Sequence, residues 1–320
     1  MTYSSGGLIQ ATDYNGFVST TSGANINDLW GTGASDKGYG QTALSTVSTA
    51  GTITATQWAA LVNTLSSLGS QTNTALTART APTAGTTISV LAAVNTDITN
   101  VTTNRNNAVA IGSQFTGWSG TNSKTTATSG ATWTITFTNT ITWASANAAR
   151  YFFNGGGLIK LDVSKTSTGA LGDPEWNDLA NTLCGDIWIS GVGSAHTIAG
   201  TSYTGVTKIG GTGTPVSLQN SLGWYNLTTT DQILYKQFAD TAPYTSNFIQ
   251  HSAKTATAGT QLVITTVWSA SDGDPITGGT APTGATPGTA PCTICTYYPP
   301  STTYLTSAAW GTPTVAATTV

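Results

Sequence analysis

The sequence predicts an α+β protein, mainly β, in which a small helical N-terminal domain precedes an antiparallel β-sandwich, jelly-roll-like, with one inserted helix. Three observations predict it. Apolar residues from Leu8 to about Gly112 recur mostly with helical period, those from Trp133 onward alternate with polar ones, and the stretch between them has no apolar periodicity. These place a helical docking or oligomerisation domain at 1–116, a low-complexity linker at 117–132 and the sandwich at 133–320.

In TATQWAALVNTLSSL the residues Trp58, Leu61, Val62, Leu65 and Leu68 fall on one helical face, with Thr54 or Thr56 available as N-cap. The linker RTAPTAG stops that helix at or before Pro82. A second helix is expected over about 87–110, where Leu91, Val94, Ile98, Val101, Arg105 and Ala108 step by three and four. This short heptad rhythm has two uses. It is either one face of a hairpin against the Trp58 helix or the seam of an oligomer, with Arg105 as a polar residue that fixes register.

After the linker, Trp133, Ile135, Phe137, Ile141 and Trp143 alternate with Thr and Asn, so one strand face is core and the other a threonine ladder. NGGGLIKLDV reads as a turn and a second strand; HTIAGTSYTGVTKI, GWYNLTT, DQILYKQFA, SNFIQHSAK and TQLVITTVWS supply further short strands. Asp173, Pro174 and Glu175 open a helix whose Trp176, Leu179 and Leu183 share a face, read as a lid on the sandwich. A long exposed loop follows at 269–291, then final strands around Tyr297–Tyr304 and Trp310–Val315.

Composition excludes several function classes. Only 7% of the 320 residues are charged and about a fifth are threonine, so the surface is hydroxyl and amide; 10 Trp, 11 Tyr and 7 Phe argue against disorder. With a net charge of −3 and scattered cations there is no basic stripe for nucleic acid. No apolar run approaches a membrane span, and MTYSSGGLIQ contains no secretion segment, so the chain is expected to be made in a cytoplasm without membrane insertion.

Candidate chemistry is sparse. Cys292 and Cys295 have CxxC spacing, but no second ligand pair accompanies them, so free thiols or a local clip are expected, and Cys184 reads as core. Asp272-Gly-Asp274-Pro275 lacks the further oxygens of a calcium loop and reads as a turn; Gly210-Gly-Thr-Gly-Thr-Pro215 lacks the lysine and helix of a phosphate loop and reads as a hairpin turn. Asp173, Glu175 and Asp178 suit the first turns of a helix. His196 and His251 read as solvent-facing or locally bonded. In each of the pairs Trp224–Tyr225 and Tyr297–Tyr298, at most one ring is available to stack on a sugar, and core membership is the competing reading. No catalytic, cofactor-binding or metal-ligating residue is assigned.

Two segments carry a resemblance. The first has Gly31–Gly33, then Gly38, Tyr39, Gly40 and Gln41, then an ATQWAAL helix start containing Trp58; the second is Asn147-Ala-Ala-Arg150-Tyr151-Phe152-Phe153-Asn154-Gly155-Gly156-Gly-Leu-Ile159, set after an alternating strand. Together they resemble the N-terminal half of virion structural proteins of T4-like tailed bacteriophages of marine cyanobacteria and relatives, clearly over about 8–163 and more weakly through YPPSTTYL and the Trp310-Gly-Thr-Pro ending. The resemblance implies a non-enzymatic virion component of tail, fibre or appendage type, without cofactor, that docks to other virion proteins and to itself, as a homotrimer. The alternative is a host-recognition adhesin that binds surface glycan through exposed aromatics. A tail-borne glycan hydrolase needs two positioned carboxylates that the sequence does not present. The motif residues read as turn and core architecture, with Arg150 available to bond carbonyls and the glycines to adopt positive φ.

Overall fold

The computed structural model describes residues 10–19, 23–85, 91–115, 121–123, 132–166, 173–270 and 292–319. Four helices come first: α1 (Ala11–Val18), α2 (Ile26–Trp30), α3 (Ala55–Gln71) and α4 (Leu91–Thr103). In α3, Thr54 accepts from the Gln57 backbone while the Gln57 side chain accepts from the Thr54 backbone, a reciprocal cap. Trp58, Leu61, Val62, Leu65 and Leu68 are all buried, as their spacing predicts, and Trp58 packs 6.1 Å from both Tyr14 and Phe17 of α1.

Between α2 and α3 the chain runs from 31 to 54 through turns and irregular backbone with neither helix nor strand, yet Tyr39, Gln41 and Val47 are buried. Side-chain amides hold it. Asn15 donates to the Val47 carbonyl (2.7 Å) and accepts from the Val47 N–H (2.8 Å), and Asn27 treats Leu44 the same way at 2.8 Å for both bonds. Each asparagine therefore does for one residue what a neighbouring strand would do.

The stripe on α4 belongs to this chain's own interior. Val94, Ile98 and Val101 are 2%, 1% and 0% exposed and lie in the same hydrophobic cluster as α1 and α3, while the side chain of Leu91 lies outside the described residues. The helix ends at Thr103, short of the expected 110, so Arg105 is not at a core position. Its guanidinium bonds Asp36 at 2.7 Å and its carbonyl accepts from the Tyr39 hydroxyl at 2.6 Å. Inside α4, buried Asp97 pairs with Arg79 at 2.5 Å and accepts from the Thr77 N–H, tying 77–79 to the helix.

The remainder is two antiparallel sheets. The strands are β1 (Thr121–Ser123), β2 (Trp133–Thr142), β3 (Leu158–Ser164), β4 (Asp186–Ile189), β5 (His196–Ile198), β6 (Thr201–Tyr203), β7 (Val206–Ile209), β8 (Ser217–Leu218), β9 (Gln232–Phe238), β10 (Phe248–Ala256), β11 (Gln261–Ala270), β12 (Cys292–Tyr298) and β13 (Thr314–Thr319). One sheet has the order β1-β12-β3-β4-β7, the other β13-β2-β11-β10-β9-β8, and β5 pairs with β6 as a separate hairpin. The two buried faces belong to one hydrophobic cluster, which makes the arrangement sandwich-like. β8 to β11 form a meander, and the chain crosses between sheets after β1, β2, β7, β11 and β12.

β2 alternates as predicted, with Trp133, Ile135, Phe137, Asn139 and Ile141 buried. The helix α6 (Asp173–Asp178) continues into a wider π-helical turn, Leu179–Cys184. It is a wedge more than a lid, since Trp176 stacks between Trp133 (4.8 Å) and Trp268 (5.7 Å) in the interior.

Three local expectations are corrected. Asn147 to Asn154, expected as turn and core architecture, is helix α5 (Ala146–Asn154), capped by the Ser145 hydroxyl on the Ala148 N–H. Six of its nine residues are buried, and its polar residues Asn147, Arg150 and Asn154 share one face. GWYNLTT is not a strand, because the Asn226 side chain accepts from Gly223 and closes a 3₁₀ turn at Trp224–Asn226. Gly210 to Pro215 is not a hairpin turn but the crossing from β7 to β8, where the Lys208 ammonium donates to the carbonyls of Gly211 and Gly213 at 2.9 Å each. Within the linker, β1 pairs with β12, and one hydrophobic cluster continues from α1 to β12. The boundary at 117–132 is thus a change of architecture between parts that share a core. The acidic turn at 272–275 lies outside the described residues.

Candidate functional site

The two motifs singled out in the sequence, more than a hundred residues apart, meet at the seam between the helical layer and the sandwich. Gly40, at φ +68°, passes so close under the Tyr151 ring that a Cβ would overlap it. The Asn154 side chain donates to the Gly38 carbonyl at 2.8 Å and accepts from the Tyr225 hydroxyl at 2.8 Å. Arg150 donates to the carbonyls of Thr32 (2.8 Å) and Ser35 (2.9 Å), which fulfils its expected role on carbonyls, though from a helix. Gln41 accepts from the Thr306 N–H at 2.8 Å, reaching the C-terminal segment.

Phe152 and Phe153 turn the other way. Phe152 lies 5.4 Å from Trp143 and 6.0 Å from Tyr297, and Phe153 stacks on Trp224 at 5.2 Å. The glycine run lets the helical layer close down: Gln71 donates to the Gly155 carbonyl at 3.1 Å, and Gly156, at φ +95°, faces Ala108 where a Cβ would collide. All twelve motif residues are thus accounted for, eleven at or beside the seam and Trp58 in the helical core. Burial pushes the Tyr39 and Tyr225 hydroxyls well up, so both stay neutral donors.

The titratable groups elsewhere are mostly held by the fold. His251 is 1% exposed, bonds Thr266 at 2.8 Å and stacks on Tyr235; burial pulls it down to about 3, so it is a neutral core residue. His196 bonds the Ser194 carbonyl at 2.8 Å and is lowered by burial too. All three cysteines are free. Cys295 is buried on the inner face of β12 and Cys292 half-buried on the outer, so the CxxC spacing, three residues along a strand, points the thiols apart and makes no clip. Cys184 is buried, with its thiol pushed up to about 12.

One grouping was not legible in the sequence. Carboxylate oxygens of Glu175, Asp178 and Asp240 lie within 4.8 Å of one another, and burial followed by those neighbours raises Glu175. The first two are one helical turn apart, but Asp240 arrives from the end of β9, which no local spacing signals. Among the described residues these are the ones that could hold a metal ion; the side chain of Asp173 lies outside the described residues. A cavity of about 420 Å³ along α3, lined by Ser66, Ser70, Asn73, Thr74 and Leu76 among others, has no charged group in its lining.

The second surface with mixed chemistry is the outer face of the five-stranded sheet. Trp188 on β4 is the cross-strand neighbour of Lys160 on β3, which in turn faces Thr296 on β12. The Trp188 ring lies 5.2 Å from Tyr298 and 6.0 Å from Tyr203 of the β5–β6 hairpin. The Lys160 ammonium sits 3.5 Å from Asp186 and 3.8 Å from Asp162. Of the four rings named as sugar platforms, Trp224 and Tyr297 are core and Tyr225 is engaged at the seam, which leaves Tyr298 half-exposed. No helix among the described residues is long and apolar enough to cross a membrane. Compared with known protein families, with curated proteins and with solved structures, the chain gives no match.

Proposed function

We propose that this chain is a non-enzymatic structural component of a bacteriophage virion, a tail, fibre or other appendage protein that docks through its N-terminal region. The observation that carries the reading is the seam. The residues that resemble the virion proteins, Gly38 to Gln41 and Arg150 to Gly156, bind each other rather than line a cleft, so what is shared is a way of joining a helical layer to a sandwich. A chain with only 7% charged residues supports it, because few ions have to be desolvated when copies or partners pack together. In this reading the partners are other virion proteins and further copies of the chain, a trimer included. Copy-to-copy contacts then use a surface other than Val94, Ile98 and Val101, which are already covered. Electron microscopy of particles assembled with a tagged chain tests the proposal: regularly spaced label on the tail or its appendages is expected, and a chain missing from washed particles overturns it.

Recognition of host-surface glycan is the second reading. It is favoured by the half-exposed Trp188 and Tyr298 rings on the outer sheet face.

A further inference from the structure

We propose that the outer face of the five-stranded sheet, with Trp188, Tyr298, Lys160, Asp162 and Asp186, is a binding site for a neutral, hydroxyl-rich pyranose chain. The inference rests on the recognition reading and assigns it a place. Ring and charge sit side by side there by register: Lys160 is opposite Trp188, and Asp186 precedes Trp188 by two residues on the same strand face. An aromatic ring takes the apolar C–H face of a pyranose, and adjacent carboxylates and an ammonium accept from and donate to its equatorial hydroxyls.

The site is held ready. Trp188 is held by an edge contact with Tyr203 and a tilted contact with Tyr298, so stacking costs little side-chain entropy. Lys160 is fixed between two carboxylates on neighbouring strands. Burial and the nearby Asp186 push Asp162 up, the mark of a carboxylate short of donors, which sugar hydroxyls supply.

Charge selects the ligand class. One cation against two anions leaves the face with a small negative balance, which disfavours phosphate, sulfate and sialic acid and favours a neutral sugar. Shape selects a chain over a single sugar. The face is bounded at its Tyr298 and Trp188 end by the β5–β6 hairpin, where both rings pack beside Leu158, Ile198 and Tyr203, and it continues along the strands to the exposed Ile209, the cross-strand partner of Asp186.

Soluble hexasaccharides of glucose, galactose, mannose and N-acetylglucosamine, titrated calorimetrically into the full chain, test this. At least one is expected to bind, and Trp188→Ala to abolish that binding. Because Trp188 also packs on the hairpin, Asp186→Asn and Lys160→Met serve as second variants. Each should melt within about 2 °C of the parent, as surface substitutions do, yet weaken binding at least about tenfold, the worth of a hydrogen bond to a charged group. Binding that persists undiminished in all three variants sinks the site and leaves the recognition reading standing. No binding by any of the four sugars overturns both. Tighter binding of a sulfated hexasaccharide than of its neutral parent overturns the charge argument and the proposal with it.

Discussion

The helical layer and the sandwich solve the same problem, a non-helical backbone that has to be buried, by different means. In the sandwich, ten-residue strands such as β2 and β11 pair register by register, and threonines on the outer face cost nothing. In the helical layer the segment 31–54 has no strand beside it, and single amides replace the ladder: Asn15 on Val47, Asn27 on Leu44, and Gln41 reaching across to Thr306. Asn181 does the same inside the sandwich, bonding the N–H and carbonyl of Lys165 where β3 has ended. The lesson is that a chain poor in charge and rich in amides spends those amides as backbone partners. A ladder tolerates the loss of one side chain; an amide clamp does not.

The largest expected break is in the helical layer. Ile98→Lys puts an unpaired charge among Val94, Val101 and the residues of α3, and should cost on the order of 5 kcal/mol. Far-UV circular dichroism should lose helix while sedimentation of the folded parent's assembly state is unaffected by milder changes on the exposed side of α4. A folded, helical variant that merely dissociates would instead return the stripe to an oligomer seam.

Next in size is the clamp itself. Asn27→Asp replaces the donor facing the Leu44 carbonyl with an oxygen, so an acceptor meets an acceptor, at a cost of about 2–3 kcal/mol. Urea unfolding reads it directly, and a change under 0.5 kcal/mol, the scale of ordinary surface substitutions, would show that the amide clamps are incidental. Thr134→Ala on the outer face of β2, an exposed position, should by contrast fall within about 0.5 kcal/mol.

The sandwich should fail first in acid. His251 is held near 3 against about 6.5 in an unfolded chain, so below pH 6.5 the unfolded state binds a proton that the folded state refuses. Stability contributed by the neutral imidazole is therefore full above pH 6.5 and declines as pH falls, by about 2 kcal/mol at pH 5. His196 adds in the same sense. The raised carboxyls Asp162 and Glu175 act in the opposite sense, so the imidazole is isolated by comparing the parent with a histidine variant over the same pH range. Replacement by a neutral isostere, His251→Gln, should flatten the slope.

Smallest is Cys292→Ser. The thiol is half-buried, unpaired and on the opposite strand face from Cys295, so stability should move by less than about 0.5 kcal/mol. Purified protein should carry no stoichiometric zinc before or after the change.

What the sequence determined by itself is whatever depends on period and on neighbours a few residues away. The α3 stripe with its Thr54–Gln57 cap, the alternation of β2, the change of architecture near 117–132 and the burial of Cys184 follow from local spacing. Even the stripe of α4 was legible, though not whether its cover would be α3 or another copy. What only the tertiary structure decided is whatever needs a partner remote in the chain. The rings of helix α5 find Trp224 and Tyr297 far along the chain, and Trp188 came beside Lys160 and Tyr298 only once β4 took its register beside β3. Asp240 joins Glu175 and Asp178, and Asn154 finds Gly38, across separations that no periodicity spans, because side-chain hydrogen bonds and charge repulsion act over a few ångströms in space and leave no trace along the chain.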